Sequence, residues 1–217
     1  RSFWDNAAYH TGNMEVYFLT KKPEYLEYSK EWAEHNQWKG ATSNNKAEWR
    51  STYGESPEYV LFGDWQVCFQ TYADLYKLDP DTIKIARARE VMEYQMSTSK
   101  LDYWHWVDAL YMVMPVMVKM YDITKNPLYL EKLHQYLTVT DSIMYDREVG
   151  LYYRDAKYPY PFHKTINGKK DFWSRGDGWA FAAFAKVLKQ LPAEDKYREE
   201  YITRFQTMAK SIAACQQ

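Results

Sequence analysis

Two aspartates and one arginine motif carry most of the chemistry legible in this chain. Asp108 is the lone carboxylate in "YWHWVDALYMVMP", a run otherwise dominated by aromatic and aliphatic side chains. Carboxylates are rarely buried unless paired or functional. Desolvation among aromatics raises a carboxyl pKa, which suits a general acid near neutral pH. The same acid is equally at home in a first helical turn, where free N–H groups and the helix dipole favour it. Asp64, in "FGDWQVCFQTYADLY", stands at the head of an earlier helical pattern, where an N-cap role would be ordinary. If the two helix heads are neighbours, both acids reach one cavity. Two carboxylates in unlike surroundings are the usual apparatus of glycoside chemistry.

The stretch "DFWSRGDGWAF" adds a binding set. Arg175 offers a planar fork for a carboxylate, and Trp173 and Trp179 offer faces on which a sugar ring can stack. Gly176 and Gly178 bracket Asp177 and would let backbone and substrate approach closely. The plain alternative is a helix-start turn with Asp177 as N-cap and Arg175 in a structural ion pair. His105, three residues before Asp108, and His163, in the loop before Trp173, are candidates to line the same cleft, whereas His35 and His134 fall on outer helical faces.

Other chemistries lack support. No two histidines have metal-ligand spacing with a carboxylate on the same face. No phosphate-binding glycine loop, serine elbow or Cys–His signature is present. Cys68 and Cys215 both sit in apolar helical patterns and read as buried free thiols.

The elements that must position these residues form helical hairpins. "TKKPEYLE" from Thr20 and "TKNPLYLE" from Thr124 match at six of eight positions, 104 residues apart. Each joins two helical patterns, with Pro near the start of the second, where its missing N–H is harmless. Looser versions begin at Asp74 and Val187. Apolar spacing predicts helices over 5–19, 23–37, 64–78, 81–96, 105–123, 127–145, 177–190 and 194–214. The first helix of each pair is the more apolar. The second is amphipathic, as in Tyr25, Leu26 and Trp32 against Glu24, Glu27 and Lys30. That contrast predicts an all-α fold with inner buried and outer half-exposed helices. "GLYYRDAKY" is the one segment with the makings of a short hairpin arm. The long links, Trp38 to Gly63 and Asp146 to Gly176, both lead into an inner helix, so they are expected to gather at one end as the active face. The 217 residues read as a single domain of about four hairpins, an incomplete ring expected to belong to a longer toroid.

Composition narrows the partners. Aromatics make up 18% of the chain, with 21 Tyr and 9 Trp, enough to fill a core or to line a sugar cleft. A net charge of −1 without a basic stripe argues against nucleic acid. No apolar run approaches the ~20 residues that span a bilayer. Oligomeric state is not legible.

The order of "WVDALYMVMP" and "FWSRGDGWAF" resembles glycoside hydrolase family 105, the unsaturated rhamnogalacturonyl hydrolases, which are related to the family 88 unsaturated glucuronyl hydrolases. The likeness runs from Asn6 onward. It implies an (α/α)6 barrel, of which about two hairpins would be missing on the C-terminal side. It also implies removal of a 4,5-unsaturated uronic acid from lyase-generated oligosaccharides by hydration of the C4=C5 bond, with no metal or cofactor. Asp108 matches the family's catalytic acid in "W-x-D-x-L-Y-M". Asp64, twelve residues before Tyr76 of an "LY" pair, matches its second acid. Trp173, Arg175 and Trp179 match the uronate-contacting "W-x-R-G-x-G-W" motif, and His105, Trp106 and His163 are further candidate substrate contacts. Three positions depart from the pattern. Val67 and Phe69 stand where relatives carry Asn and Gly, and Arg154 replaces a common His. Arg154 is therefore carried as a candidate contact of its own. The likeness also implies a bacterial polysaccharide degrader, exported to the periplasm or retained in the cytoplasm.

Two rivals remain at this stage. A sugar epimerase on the same toroid would rely on catalytic His pairs, and only His105 lies near a helix head. A non-catalytic helical-repeat module binding glycan or protein would have no reason to keep a lone acid in an apolar pocket.

Overall fold

The computed structural model describes residues 1–216. Four helical hairpins follow one another: α1 (Trp4–Thr20) with α2 (Pro23–His35), α3 (Gly63–Gln66) and α4 (Cys68–Leu78) with α5 (Ile83–Ser97), α6 (Asp108–Thr124) with α7 (Leu128–Met144), and α8 (Ser174–Gln190) with α9 (Arg198–Cys215). The inner helices pack in sequence, α1 on α4, α4 on α6 and α6 on α8, while α2, α5, α7 and α9 lie outside. Helix α6 is buried at every position from Ala109 to Met120, as its unbroken apolar run requires. No helix among the described residues is long and apolar enough to cross a membrane.

The internal repeat is a repeated helix stop. Lys21 and Lys125 each adopt a left-handed conformation, with φ of 58° and 57°. Their amides close on Tyr17 and Tyr121 carbonyls at 2.8 and 2.7 Å. Thr20 and Thr124 hydroxyls donate back to the carbonyls of Val16 and Met120, and Pro23 then starts α2 while Pro127 holds the N-cap position of α7. The same turn chemistry thus folds two hairpins.

Pro115 lies inside α6 and has no N–H for the Tyr111 carbonyl one turn earlier. The Gln70 amide on α4 donates to that carbonyl instead, at 2.7 Å. An inner-helix defect is therefore repaired from the neighbouring hairpin. Farther along the same helices, Lys119 of α6 pairs with Asp74 of α4, and Glu15 of α1 with Lys186 of α8 at 3.2 Å.

The segment between α7 and α8 holds a two-stranded antiparallel hairpin, β1 (Tyr145–Asp146) and β2 (Leu151–Tyr152). It docks on the head of α6, where the Val107 amide donates to the Arg154 carbonyl at 2.9 Å and Trp106 pairs with Asp155.

Several boundaries differ from the sequence reading. Helix α6 starts at Asp108, not 105, because residues 106 and 107 pair with the arm. Helix α8 starts at Ser174, so the Arg–Gly–Asp–Gly stretch is its first turn and not its approach. Asp177 is consequently no N-cap. Its buried carboxylate accepts the Tyr152 amide at 2.8 Å and ties β2 to α8. Asp64 is no cap either, since Phe62 holds that position. Of the two thiols, Cys68 is buried and Cys215 is exposed on the last turn of α9, where the apolar stripe has ended.

Candidate active site

The heads of three inner helices converge on one cavity of about 530 Å³. Asp64 enters from the first turn of α3, Asp108 from the first residue of α6, and Arg175 from the first turn of α8. Trp106, His105, Arg154 and Trp173 complete much of the wall. The ends meet closely because residue 176 is glycine. A Cβ there would lie 2.6 Å from Val107 Cγ1 and 2.8 Å from the Trp173 ring. Gly178 faces open space instead, so only one of the two glycines serves close approach.

Neither acid has a hydrogen-bond or ion-pair partner in another side chain among the described residues. Burial pushes Asp64 up to about 7, and the Asp108 charge adds to the shift. Burial also raises Asp108, while Arg175 and Arg154 pull in the opposite direction. Two carboxyls thus face one space with unlike electrostatic company, and burial favours the protonated form of both. Burial lowers the His105 pKa, which favours neutral imidazole.

The aromatic lining is ordered. Phe62 stacks on Trp106 with centroids 4.4 Å apart and planes 24° from parallel. Trp173 has the Arg175 guanidinium 4.4 Å from its ring centroid and the Arg154 guanidinium at 5.7 Å.

Two expected residues lie off the cavity wall. Trp179 packs its ring against Tyr111 of α6 at 4.6 Å, one helical turn below Arg175, and its indole N–H is buried without a partner among the described residues. His163 is held by Asp171 at 2.7 Å in the loop behind Trp173. Conversely, Trp4, Tyr53, Phe62, Met112, Asp155, Ala156 and Lys157 line the cavity without having been singled out. A signal for some was present. Trp4 and Phe62, like the expected Trp106 and Trp173, stand at or just before the head of an inner helix. Tyr53 and Lys157 come from long loops whose path no local pattern fixes.

An all-α hairpin toroid with paired carboxylates in an aromatic cleft is a glycosidase-type architecture. The chain belongs to Glycosyl Hydrolase Family 88, whose model matches residues 2–217. It is 94% identical to a solved glycosyl hydrolase family 88 protein from Bacteroides vulgatus, with a TM-score of 0.99 over 100% of this chain and 62% of that one. A solved chain named a polysaccharide lyase is 76% identical, with a TM-score of 0.99 over 100% of this chain and 61% of its own. An unsaturated 3S-rhamnoglycuronyl hydrolase of Formosa agariphila is 27% identical over 98% of this chain and 57% of its own length. The chain therefore spans about three fifths of these relatives.

Proposed function

We propose that this site removes a 4,5-unsaturated uronic acid from the non-reducing end of an oligosaccharide by hydrating its C4=C5 bond. The observation that carries the reading is a pair of unpartnered, burial-raised carboxyls facing two guanidiniums across one aromatic cavity. Asp108 donates a proton to C4, and the resulting carboxylate draws a proton from the water that adds at C5. The hydrated product is a hemiketal, which opens and releases the rest of the chain. Arg175, and Arg154 in place of the family's His, hold the uronate carboxylate, and Trp173 and Trp106 present faces to the ring. Asp64 supplies the second acid and keeps the pocket's proton count high. The hydrolase name of the Formosa relative supports this substrate class.

The test is a double-bond absorbance assay on an unsaturated disaccharide. Wild-type protein should consume the ultraviolet signal, and Asp108→Asn should abolish consumption with the fold intact by circular dichroism. Activity surviving in that variant would remove Asp108 from the role.

The 76% identical chain named a polysaccharide lyase supports a second reading on the same residues. Elimination would need a base to take the C5 proton beside an arginine-neutralised carboxylate, while the C4–O bond breaks. His105, neutral and on the cavity wall, is placed for that base. The two reactions move the absorbance in opposite directions. A rise on a saturated uronate glycan would establish elimination, and a fall on an unsaturated one would establish hydration.

A further inference from the structure

The two guanidiniums of the site stand on unlike supports. Arg175 belongs to the first turn of α8 and lies 4.4 Å from the Trp173 ring centroid. Arg154 comes from the segment after β2, outside any helix or strand, and its side chain is 52% exposed. The Val107 amide pins its backbone but leaves the side chain free to turn. A long side chain in water keeps its rotamers unless other groups hold it, and freezing one on binding weakens affinity by roughly two- to tenfold.

Tyr158 is placed to hold it. The Asp155 carboxylate accepts the Lys157 amide at 2.9 Å, and the Asp155 carbonyl accepts the Tyr158 amide at 3.0 Å. That turn brings the Tyr158 side chain back to Arg154, four residues earlier. Arg154 Nη1 donates to the Tyr158 hydroxyl at 3.2 Å. Its guanidinium lies 5.6 Å from the Tyr158 ring centroid and 5.7 Å from that of Trp173. The approach of Arg154 Nε to Asp155 Oδ2, at 3.9 Å, is too long for a hydrogen bond.

Tyr158 is held in its turn by His163. The two ring centroids are 4.6 Å apart, with planes 57° from parallel. His163 Nε2 bonds Asp171 Oδ2 at 2.7 Å, and its amide donates to the Pro159 carbonyl at 3.2 Å. Asp171 stands two residues before Trp173, the other ring beside Arg154. The His163–Asp171 contact therefore closes the loop whose two ends carry both aromatic neighbours of Arg154. Neither Tyr158 nor His163 lines the active-site cavity.

We propose that Tyr158 is a positioning residue that orients Arg154 for the substrate carboxylate, and that the His163–Asp171 contact keeps Tyr158 in place. The inference rests on the reading of Arg154 as a holder of the uronate carboxylate. Both residues act on binding through Arg154 and leave the proton transfer at Asp108 alone.

Steady-state kinetics on an unsaturated disaccharide test it. Tyr158→Phe keeps the ring and removes the accepting hydroxyl, and should raise KM roughly fivefold with kcat within about twofold of wild type. His163→Ala should act in the same direction, and His163→Gln, which keeps a donor for Asp171, should recover most of the loss. In an Arg154→Ala background, Tyr158→Phe should add nothing, because the group it acts through is gone. A KM penalty of equal size with and without Arg154, or no penalty at all, would overturn the positioning role. A measurement without turnover separates this inference from the reaction. The NMR order parameter of the Arg154 Nε–Hε group in the free protein should fall in Tyr158→Phe, and an unchanged value would overturn the role. A wild type that consumes no unsaturated substrate would overturn the proposed reaction, while the order parameter still decides the positioning.

Discussion

Asp64 and Asp108 face one cavity from the heads of different hairpins, and the charge on Asp108 helps hold the Asp64 proton. The coupling is one-sided in its surroundings, because the two arginines act on Asp108. Removing the Asp108 charge by Asp108→Asn should therefore lower the Asp64 pKa from about 7. Carboxyl-carbon NMR titration reads this directly. An unmoved Asp64 would mean that burial and Glu55 set its value without Asp108. In the wild type, kcat/KM for hydration should decline as pH rises past the raised pKa of Asp108, since its protonated form is the competent acid.

Asp177 makes a separate statement about stability. Burial raises its pKa from 3.8 to about 7. Between those values the folded state holds a proton that the unfolded state has lost, so stability falls as pH rises through that window. Asp177→Asn keeps an acceptor for the Tyr152 amide and removes the titration. The variant should lose the Asp177 share of the pH dependence, Asp64 keeping its own, and gain up to roughly 4 kcal/mol relative to wild type above about pH 7. Urea unfolding on either side of the window measures it. A pH profile identical to wild type would contradict the assignment.

The two glycines of the α8 head should part company. Gly176→Ala forces a methyl into Val107 and the Trp173 ring, and should cost about 1–3 kcal/mol along with activity. Gly178→Ala meets nothing within 4 Å and sits in a helix, so it should be neutral or stabilising by up to about 1 kcal/mol. Thermal melts of both variants decide the matter, and equal losses would refute the close-approach argument.

Gln70 and Pro115 form a complementary pair. Gln70→Leu strands the Tyr111 carbonyl and should cost about 1–3 kcal/mol. Pro115→Ala restores an N–H one turn along, so the double variant should be less damaged than the sum of the singles. Strict additivity in denaturant unfolding would show that the two sites are independent.

Much of the fold follows from local rules that a sequence displays. The twin "TKxP" turns reappear as twin left-handed stops because Lys21 and Lys125 amides find the same carbonyl one turn back. The apolar run of α6 buries that helix on every side, and the amphipathic partners lie outside. Asp64, Asp108, Trp173 and Arg175 were legible as a chemical set because Asp108 is a lone acid in an apolar run and the motifs holding all four resemble a known family's, aspartate at a helix head being ordinary by itself.

Tertiary structure decided which members of that set share a space. Trp179 repeats its motif's Trp but turns to Tyr111, because a residue four positions on from Arg175 lies a full turn farther down the helix. Asp177 reads as a cap, yet the strand arm claims it, since the buried Tyr152 amide needs an acceptor that only a neighbouring element can supply. Arg154 reaches the site only because its own carbonyl is pinned to the head of α6. Helix start, period and stop are set by residues a few positions apart, so one strand of text holds them. Cavity walls and raised carboxyl pKa values depend on how much water distant segments exclude, which exists only after the hairpins have met.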